Sequence, residues 1–320
     1  MKTGILKAGL CLGLIFSTLN TNAEVHEVTG KATSDYAQTK YPLFFIHGMF
    51  GFSKLGLEKF GVDYWYQILP DLKRNGAQVF ASQLSPLHTT EFRGEQALIQ
   101  LEEVLAISGS PKVNLIGHSQ GGPTARYISG VAPEKVASVT GVSGTNLGSP
   151  VADLVEGKKP LNNILAPLVN GVVSPIISFA QLIKNLPSDF KGSINSLTLA
   201  GSLKFNERFP MGMPANQACT DGPHQQQGIY FYSWIGNANR TNFLDPDTIF
   251  TALGPYAFDK QENDGLVSVC SSKFGKTIRD DYKLNHFDAI NQVLGLKSKS
   301  APDPVALYRQ HANRLKLQGL

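Results

Sequence analysis

The chain is sparing in several things at once. Its 320 residues include three cysteines, two tryptophans and four methionines. Charged residues make up 17% and nearly cancel, leaving a formal net charge of +4. The sequence holds no basic tail, no internal repeat and no low-complexity stretch. A balance so near neutral leaves no electrostatic footprint for nucleic acid, so none is expected as a partner. Uninterrupted apolar runs of the ~20 residues that span a bilayer are also missing, so no transmembrane span is expected.

The first apolar stretch, Leu10 to Phe16, is short and follows two lysines, Lys2 and Lys7. It leads to the small-residue site Thr21-Asn22-Ala23. That layout predicts a secretory signal peptide over residues 1–23, removed on export, and a secreted mature chain of residues 24–320. Cys11 sits inside the apolar run rather than at its end, which is not the place for a lipid anchor. Losing Lys2 and Lys7 takes the net charge from +4 to +2. Cys219 and Cys270 then remain. In an oxidising compartment they are expected to pair, the alternative being two buried thiols.

What is present is a set of short apolar runs. Tyr41 to Ile46, Lys112 to Ile116, Lys135 to Val142 and Ile229 to Ile235 are rich in β-branched and aromatic residues and read as strands buried on both faces. Between the first two, Glu91 to Ala106 places Leu98, Leu101, Val104 and Leu105 at helical spacing. Pro123 to Ile128 continues helically after the second run. Strands alternating with helices predict a single α/β domain with a mostly parallel central sheet and helices on both faces. Leu161 to Ile183 breaks the alternation. It carries no charge, is apolar at helical spacing, and is interrupted by Pro167, Gly171 and Pro175. It reads as a buried helix pair or as an inserted helical lid, about residues 158–190, with one face for lipid.

Gly117-His118-Ser119-Gln120-Gly121 matches G-x-S-x-G between an apolar strand and a helix, the context that motif requires. The turn is so tight that only glycine fits beside it, and it lifts the Ser119 hydroxyl clear of the sheet. A serine hydroxyl needs a base to take its proton and an acid to orient the base. In this motif's chain order the acid and histidine follow the serine. His286 and His311 lie late enough; His311 falls in a terminal helical pattern that looks surface or structural, so His286 is the candidate base. Asp264, in the turn Asn263-Asp264-Gly265, is the candidate acid. The oxyanion of acyl transfer needs backbone donors. Gln120, after the serine, and Met49, in the loop His47-Gly48-Met49 after the first strand, are the candidates.

Asn285 to Leu296 reads NHFDAINQVLGL and follows the candidate base directly. Taken alone it offers one carboxylate, Asp288, and main-chain carbonyls. Calcium wants six to eight oxygens. A helix cap at Asp288 with Gln292 facing solvent accounts for the segment as well.

The stretches YPLFFIHGMFGF, GVDYW, RGEQ, PKVNLIGHSQGGPTARY, NFLDP, NDGLVSVCSS, NHFDAINQVLGL and YRQHANRL together resemble the secreted bacterial true lipases of subfamilies I.1 and I.2, the Pseudomonas/Burkholderia type. The resemblance covers nearly all of the mature chain. It implies an α/β-hydrolase fold, hydrolysis of long-chain triacylglycerols at lipid–water interfaces, and a lid that opens there. Carboxylesterase action on short soluble esters is the alternative. Carried over, it implies Ser119, Asp264 and His286 as the catalytic triad and Met49 and Gln120 N–H as the oxyanion hole. It also implies a Cys219–Cys270 disulfide and one structural calcium ion (Ca2+) on Asp245, Asp288 and the carbonyls of Gln292 and Leu296. A periplasmic lipase-specific foldase chaperone and the type II secretion machinery are the implied partners. Two departures stand out: Ser143 to Ser149, around Thr145-Asn146-Leu147, lacks a Pro-His pair that many members carry, and Ser53 to Gly61 is longer than usual.

Overall fold

The computed structural model describes residues 25–55, 62–157, 167, 169–170, 186–242 and 245–320. The expected signal peptide, nearly all of the expected lid and most of the Ser53–Gly61 extension lie outside these residues.

An eight-stranded sheet forms the frame, in the order β1-β5-β2-β6-β7-β9-β10, with β8 paired to β9. The strands are β1 (His26–Glu27), β2 (Leu43–Ile46), β5 (Val79–Ala81), β6 (Val113–His118), β7 (Val136–Val142), β8 (Gln225–Gln226), β9 (Ile229–Gly236) and β10 (Lys276–Tyr282). β1 and β8 are antiparallel to their neighbours and every other pairing is parallel. A small hairpin, β3 (Lys54–Leu55) with β4 (Val62–Asp63), stands apart from the sheet.

All four expected strands are present. β2, β6 and β7 are buried at every position, as continuous apolar runs in a covered parallel sheet should be. Successive side chains alternate between faces. Along β2, Leu43 and Phe45 enter one core with Trp65, Tyr308 and Leu315, while Phe44 and Ile46 enter the other with Leu101, Val104 and Ile128. The first core is roofed by α1 (Ile68–Arg74) and the C-terminal helix Pro304–Leu317, and the second by α2 (Thr90–Ser108) and α3 (Gly121–Val131). Both expected helices are there; α2 starts where Thr89 Oγ1 accepts from the Phe92 N–H and stops at Gly109, in the left-handed conformation.

After β7 the chain leaves the sheet through α4 (Pro150–Val155), and it returns through α5 (Phe190–Leu197) and α6 (Leu199–Arg208). Within the expected lid segment, Val169 is buried against Val151, Leu154, Leu253 and Phe258. No helix of the described residues is long and apolar enough to cross a membrane. Cys219 and Cys270 form a disulfide. His311 is not at the surface: it is buried, 2.8 Å from Thr140 Oγ1, and packs against Tyr232 and Trp234.

Candidate active site and cation site

The candidate residues collect where the strands end. Met49 follows β2, Ser119 follows β6, and Asp264 and His286 lie on the loops after β9 and β10. In open α/β sheets the carboxyl ends of the strands are where ligands bind.

Ser119 holds a φ of 55°, a left-handed conformation costly for a serine by about 1–3 kcal/mol. Its surroundings over-determine it. The Ser119 N–H donates to the Val142 carbonyl at 3.0 Å, and the Ser119 carbonyl accepts from Gly122 N–H at 3.0 Å and Thr145 N–H at 3.3 Å. A Cβ at Gly117 would lie 2.1 Å from the Gly121 carbonyl oxygen, and one at Gly121 would lie 2.1 Å from that of Ile46. The motif's glycines are required by backbone that passes this closely.

Asp264 and His286 are brought together. His286 Nδ1 lies 2.8 Å from Asp264 Oδ2, and both residues are buried. The second oxygen, Oδ1, accepts from the N–H groups of Leu266 at 3.1 Å and Val267 at 2.8 Å. A carboxylate accepts, so the His286 proton sits on Nδ1 and leaves Nε2 as the basic nitrogen.

Ser119, His286 and Met49 line one cavity of about 460 Å³, the size of a small-ligand site. Most of its wall is apolar, with Phe50, Val151, Phe190, Leu197, Phe250 and Phe287 among the contributors. Thr145, from the segment without Pro-His, also faces it. Among the described residues nothing accepts a hydrogen bond from the N–H of Met49 or of Gln120. Unpaired N–H groups at buried or half-buried residues are rare and call for an explanation. The loop carrying Met49 is otherwise tied at every turn. Arg93, fully buried, donates to the His47 carbonyl, and His47 Nε2 accepts from the Leu84 N–H at 3.0 Å. The remaining His47 nitrogen, Nδ1, must then carry its proton, and it donates to the Gly48 carbonyl at 2.8 Å. Burial first, then the Arg93 charge, holds His47 well below the usual histidine pKa, so it stays neutral.

Asp245 and Asp288 are also brought together, with a third carboxylate that the sequence reading missed. One oxygen each from Asp245, Asp247 and Asp288 lies within 4.8 Å of the others. The only sequence signal for Asp247 was its place two residues after Asp245, in Asp-Pro-Asp, a spacing equally suited to a turn. All three residues are buried, and among the described residues Asp245 Oδ2, Asp247 Oδ1 and Asp288 Oδ1 have no hydrogen-bond partner. Burial pushes Asp247 up to about 7, helped by the charges of Asp245 and Asp288, and pushes Asp288 up to about 6. Three buried carboxylates with oxygens unpaired among the described residues could hold a hard cation. The residues fit calcium.

The NHFDAINQVLGL segment is not a helix beyond a single 3-10 turn over Asp288–Ile290. Asn285 Oδ1 caps it, accepting from the N–H groups of Phe287 and Asp288. Gln292 does not face solvent: its Nε2 donates to the carbonyls of Asp63 at 2.7 Å and Tyr64 at 3.2 Å.

Residues 41–289 match the family model described as alpha/beta hydrolase fold. The triacylglycerol lipase of Vibrio cholerae serotype O1 is 45% identical over 314 residues, covering 97% of this chain and 98% of that protein. The triacylglycerol lipase of Burkholderia plantarii is 37% identical over 325 residues, covering 90% and 89%. The crystal structure of the mature Bacillus licheniformis lipase superposes with a TM-score of 0.62 at 16% identity, over 92% of this chain and 99% of that one, a likeness of fold. By its family model and by relatives aligned over nearly their whole length, the chain belongs to the α/β-hydrolase fold family, in the same group as these bacterial triacylglycerol lipases.

Proposed function

We propose that this protein is a secreted triacylglycerol lipase in which Ser119, His286 and Asp264 carry out acyl transfer. One observation carries the reading: a strained serine and a histidine already held by a buried aspartate share an apolar cavity with the unpaired Met49 N–H. The relatives' names give the substrate class.

Ser119 Oγ attacks the ester carbonyl carbon, and its proton passes to His286 Nε2. Asp264 keeps the Nδ1–H of His286 and stabilises the imidazolium. The carbonyl oxygen becomes an oxyanion held by the N–H groups of Met49 and Gln120, which need break no internal bond to do so. The carbon–oxygen bond to glycerol then breaks, and the glycerol oxygen takes the proton from His286 Nε2. Water attacks the acyl-serine while His286 accepts its proton. The fatty acid leaves and Ser119 regains its hydrogen. The apolar wall suits an acyl chain.

Asp245, Asp247 and Asp288 would hold calcium, joined by the main-chain carbonyls of Gln292 and Leu296 that the resemblance implies. When bound, the ion supplies positive charge that offsets three buried carboxylates and takes no part in the chemistry. Residues 1–23 serve as a cleaved signal peptide, 24–320 form one domain, and about 158–190 form its lid. The charge-free, interrupted Leu161–Ile183 run supports the lid. Folding by a lipase-specific foldase and export by type II secretion follow from the resemblance.

The test is Ser119→Ala on emulsified long-chain triacylglycerols and on p-nitrophenyl esters of graded length. The variant should be inactive on both; wild-type turnover would remove the assignment. Wild-type activity confined to short soluble esters, with no rise past their solubility limit, would make the protein a carboxylesterase instead.

A further inference from the structure

Tyr64 and His118, two buried side chains without a role in the steps above, lie between the oxyanion loop and the base. The Gly48 N–H donates to Tyr64 Oη at 3.1 Å. Tyr64 Oη lies 2.7 Å from His118 Nδ1. His118 Nε2 lies 3.0 Å from the carbonyl oxygen of His286. The chain of contacts thus runs from the oxyanion loop, through the residue before the nucleophile, to the backbone of the base.

The chemistry of the two ends fixes its direction. A carbonyl only accepts, so His118 Nε2 carries a proton. Burial holds His118 well below the ordinary histidine pKa, so the ring is neutral and Nδ1 presents a lone pair. Tyr64 must therefore donate to Nδ1, and its oxygen is left to accept the Gly48 N–H. Each group has one role, and reversing any bond strands another. The packing is close as well: a Cβ at Gly48 would lie 2.7 Å from the Ser119 Cβ and 2.9 Å from Tyr64 Oη. The backbone of Tyr64 is bound from the other side, its carbonyl accepting from Gln292 Nε2 at 3.2 Å, while Asn291 Nδ2 donates to the Tyr66 carbonyl at 3.0 Å.

We propose that Tyr64 and His118 form a one-directional hydrogen-bond relay that sets the oxyanion loop and His286 relative to each other, so that both converge on the carbonyl attacked by Ser119. Both line the cavity beside Ser119 and His286, and we assign them as positioning residues because their polar atoms are engaged with the oxyanion loop, with each other and with the His286 backbone. The relay rests on the triad reading above. A shift of one ångström at either end costs much more in rate than in binding, because only the transition state needs both ends at once.

Tyr64→Phe keeps the ring, which packs edge-on against Phe52 and Trp65, and removes only the hydroxyl. His118→Gln breaks the relay from the other end. The experiment measures kcat and KM on a soluble p-nitrophenyl ester, the rate of Ser119 phosphonylation by a p-nitrophenyl phosphonate, and Tm. Each single variant should lose about tenfold or more in kcat and in phosphonylation rate, with KM within about twofold. The double variant should lose no more than the worse single one, because a broken relay cannot be broken twice. Wild-type kcat in Tyr64→Phe, or losses that multiply in the double variant, would overturn the proposal. A loss that tracks Tm, with KM and kcat moving together, would reduce both residues to packing. Ser119→Ala serves as the separate control: an active Ser119→Ala protein removes the triad reading, whereas an inactive one beside a fully active Tyr64→Phe removes the relay alone.

Discussion

His286 is tied to Asp264 twice. Its Nδ1 lies 2.8 Å from the Asp264 carboxylate, and its backbone N–H donates to the Asp264 carbonyl at 2.9 Å. The two loops are therefore joined by side chain and backbone, and the imidazole is held in a single tautomer. Asp264→Asn keeps the size but can present an N–H to Nδ1, which turns the basic nitrogen away from Ser119. The expected loss in kcat is on the order of 10⁴-fold, with little change in Tm. Steady-state kinetics on a soluble ester, beside a thermal melt, reads both; a loss below about tenfold would count against Asp264 as the acid.

The disulfide acts on the same loop from its far side. Cys270 lies in the helical turn Val269–Ser272, which Ser268 caps, and the Val269 N–H donates to the Glu262 carbonyl at 2.9 Å. An isolated bridge between Asn263 and Ser268 closes the turn that holds Asp264 between them. Cys219 is exposed, so a reductant can reach the bond in the folded protein. The bridge links positions 51 residues apart, and losing it should cost about 2–4 kcal/mol. The Cys219→Ser, Cys270→Ser double variant should melt several degrees lower and lose kcat more than KM. An unchanged melt in the reduced protein would contradict this.

Much of this was open to reading from the chain itself, for a physical reason. β2, β6, β7 and β9 are buried nearly throughout, so each leaves an apolar run, and the nucleophile turn leaves its glycines. β10 left no such mark. Its sequence KTIRDDY has exposed or half-buried positions throughout, as an edge strand held mainly by backbone pairing can. β5 has three residues, too few for a period to show. Tyr64 and His118 stand 54 residues apart and meet only through the tertiary fold. Asp247 is one turn aspartate among several until Asp288 arrives beside it.

That third carboxylate changes what the proposed cation site should tolerate. Asp247 Oδ2 accepts from Asn285 Nδ2 at 2.9 Å, next to His286 in the chain, while Oδ1 has no partner among the described residues. Asp247→Asn removes a negative charge from the cluster but can keep a polar contact to Asn285. Calcium affinity by calorimetry should fall at least tenfold, and the melting temperature in excess calcium should approach that in chelator. Asp288→Ala should do more, since Asp288 Oδ2 also accepts the Asn285 N–H at 3.0 Å. Wild-type affinity in Asp247→Asn would mean that the ion is held by Asp245 and Asp288 without it.

The same cluster predicts how calcium and pH interact. In the folded, chelated protein Asp247 is pushed up to about 7 and Asp288 to about 6, from an ordinary 3.8. Folding without the ion therefore binds protons at these sites. A folded pKa above the unfolded one contributes stability that is present in full below about pH 4 and is lost as pH rises through 6 to 7. Calcium held at the proposed site would reverse this, because it would bind the deprotonated carboxylates and have to displace those protons at low pH. The gap between melting temperatures with calcium and with chelator should thus widen from pH 5 to pH 8. Taking the difference at each pH cancels titrations elsewhere, including the buried neutral histidines His47, His118 and His311. A gap that stays constant across this range would mean that the three carboxylates are ionised in the folded protein with or without the ion.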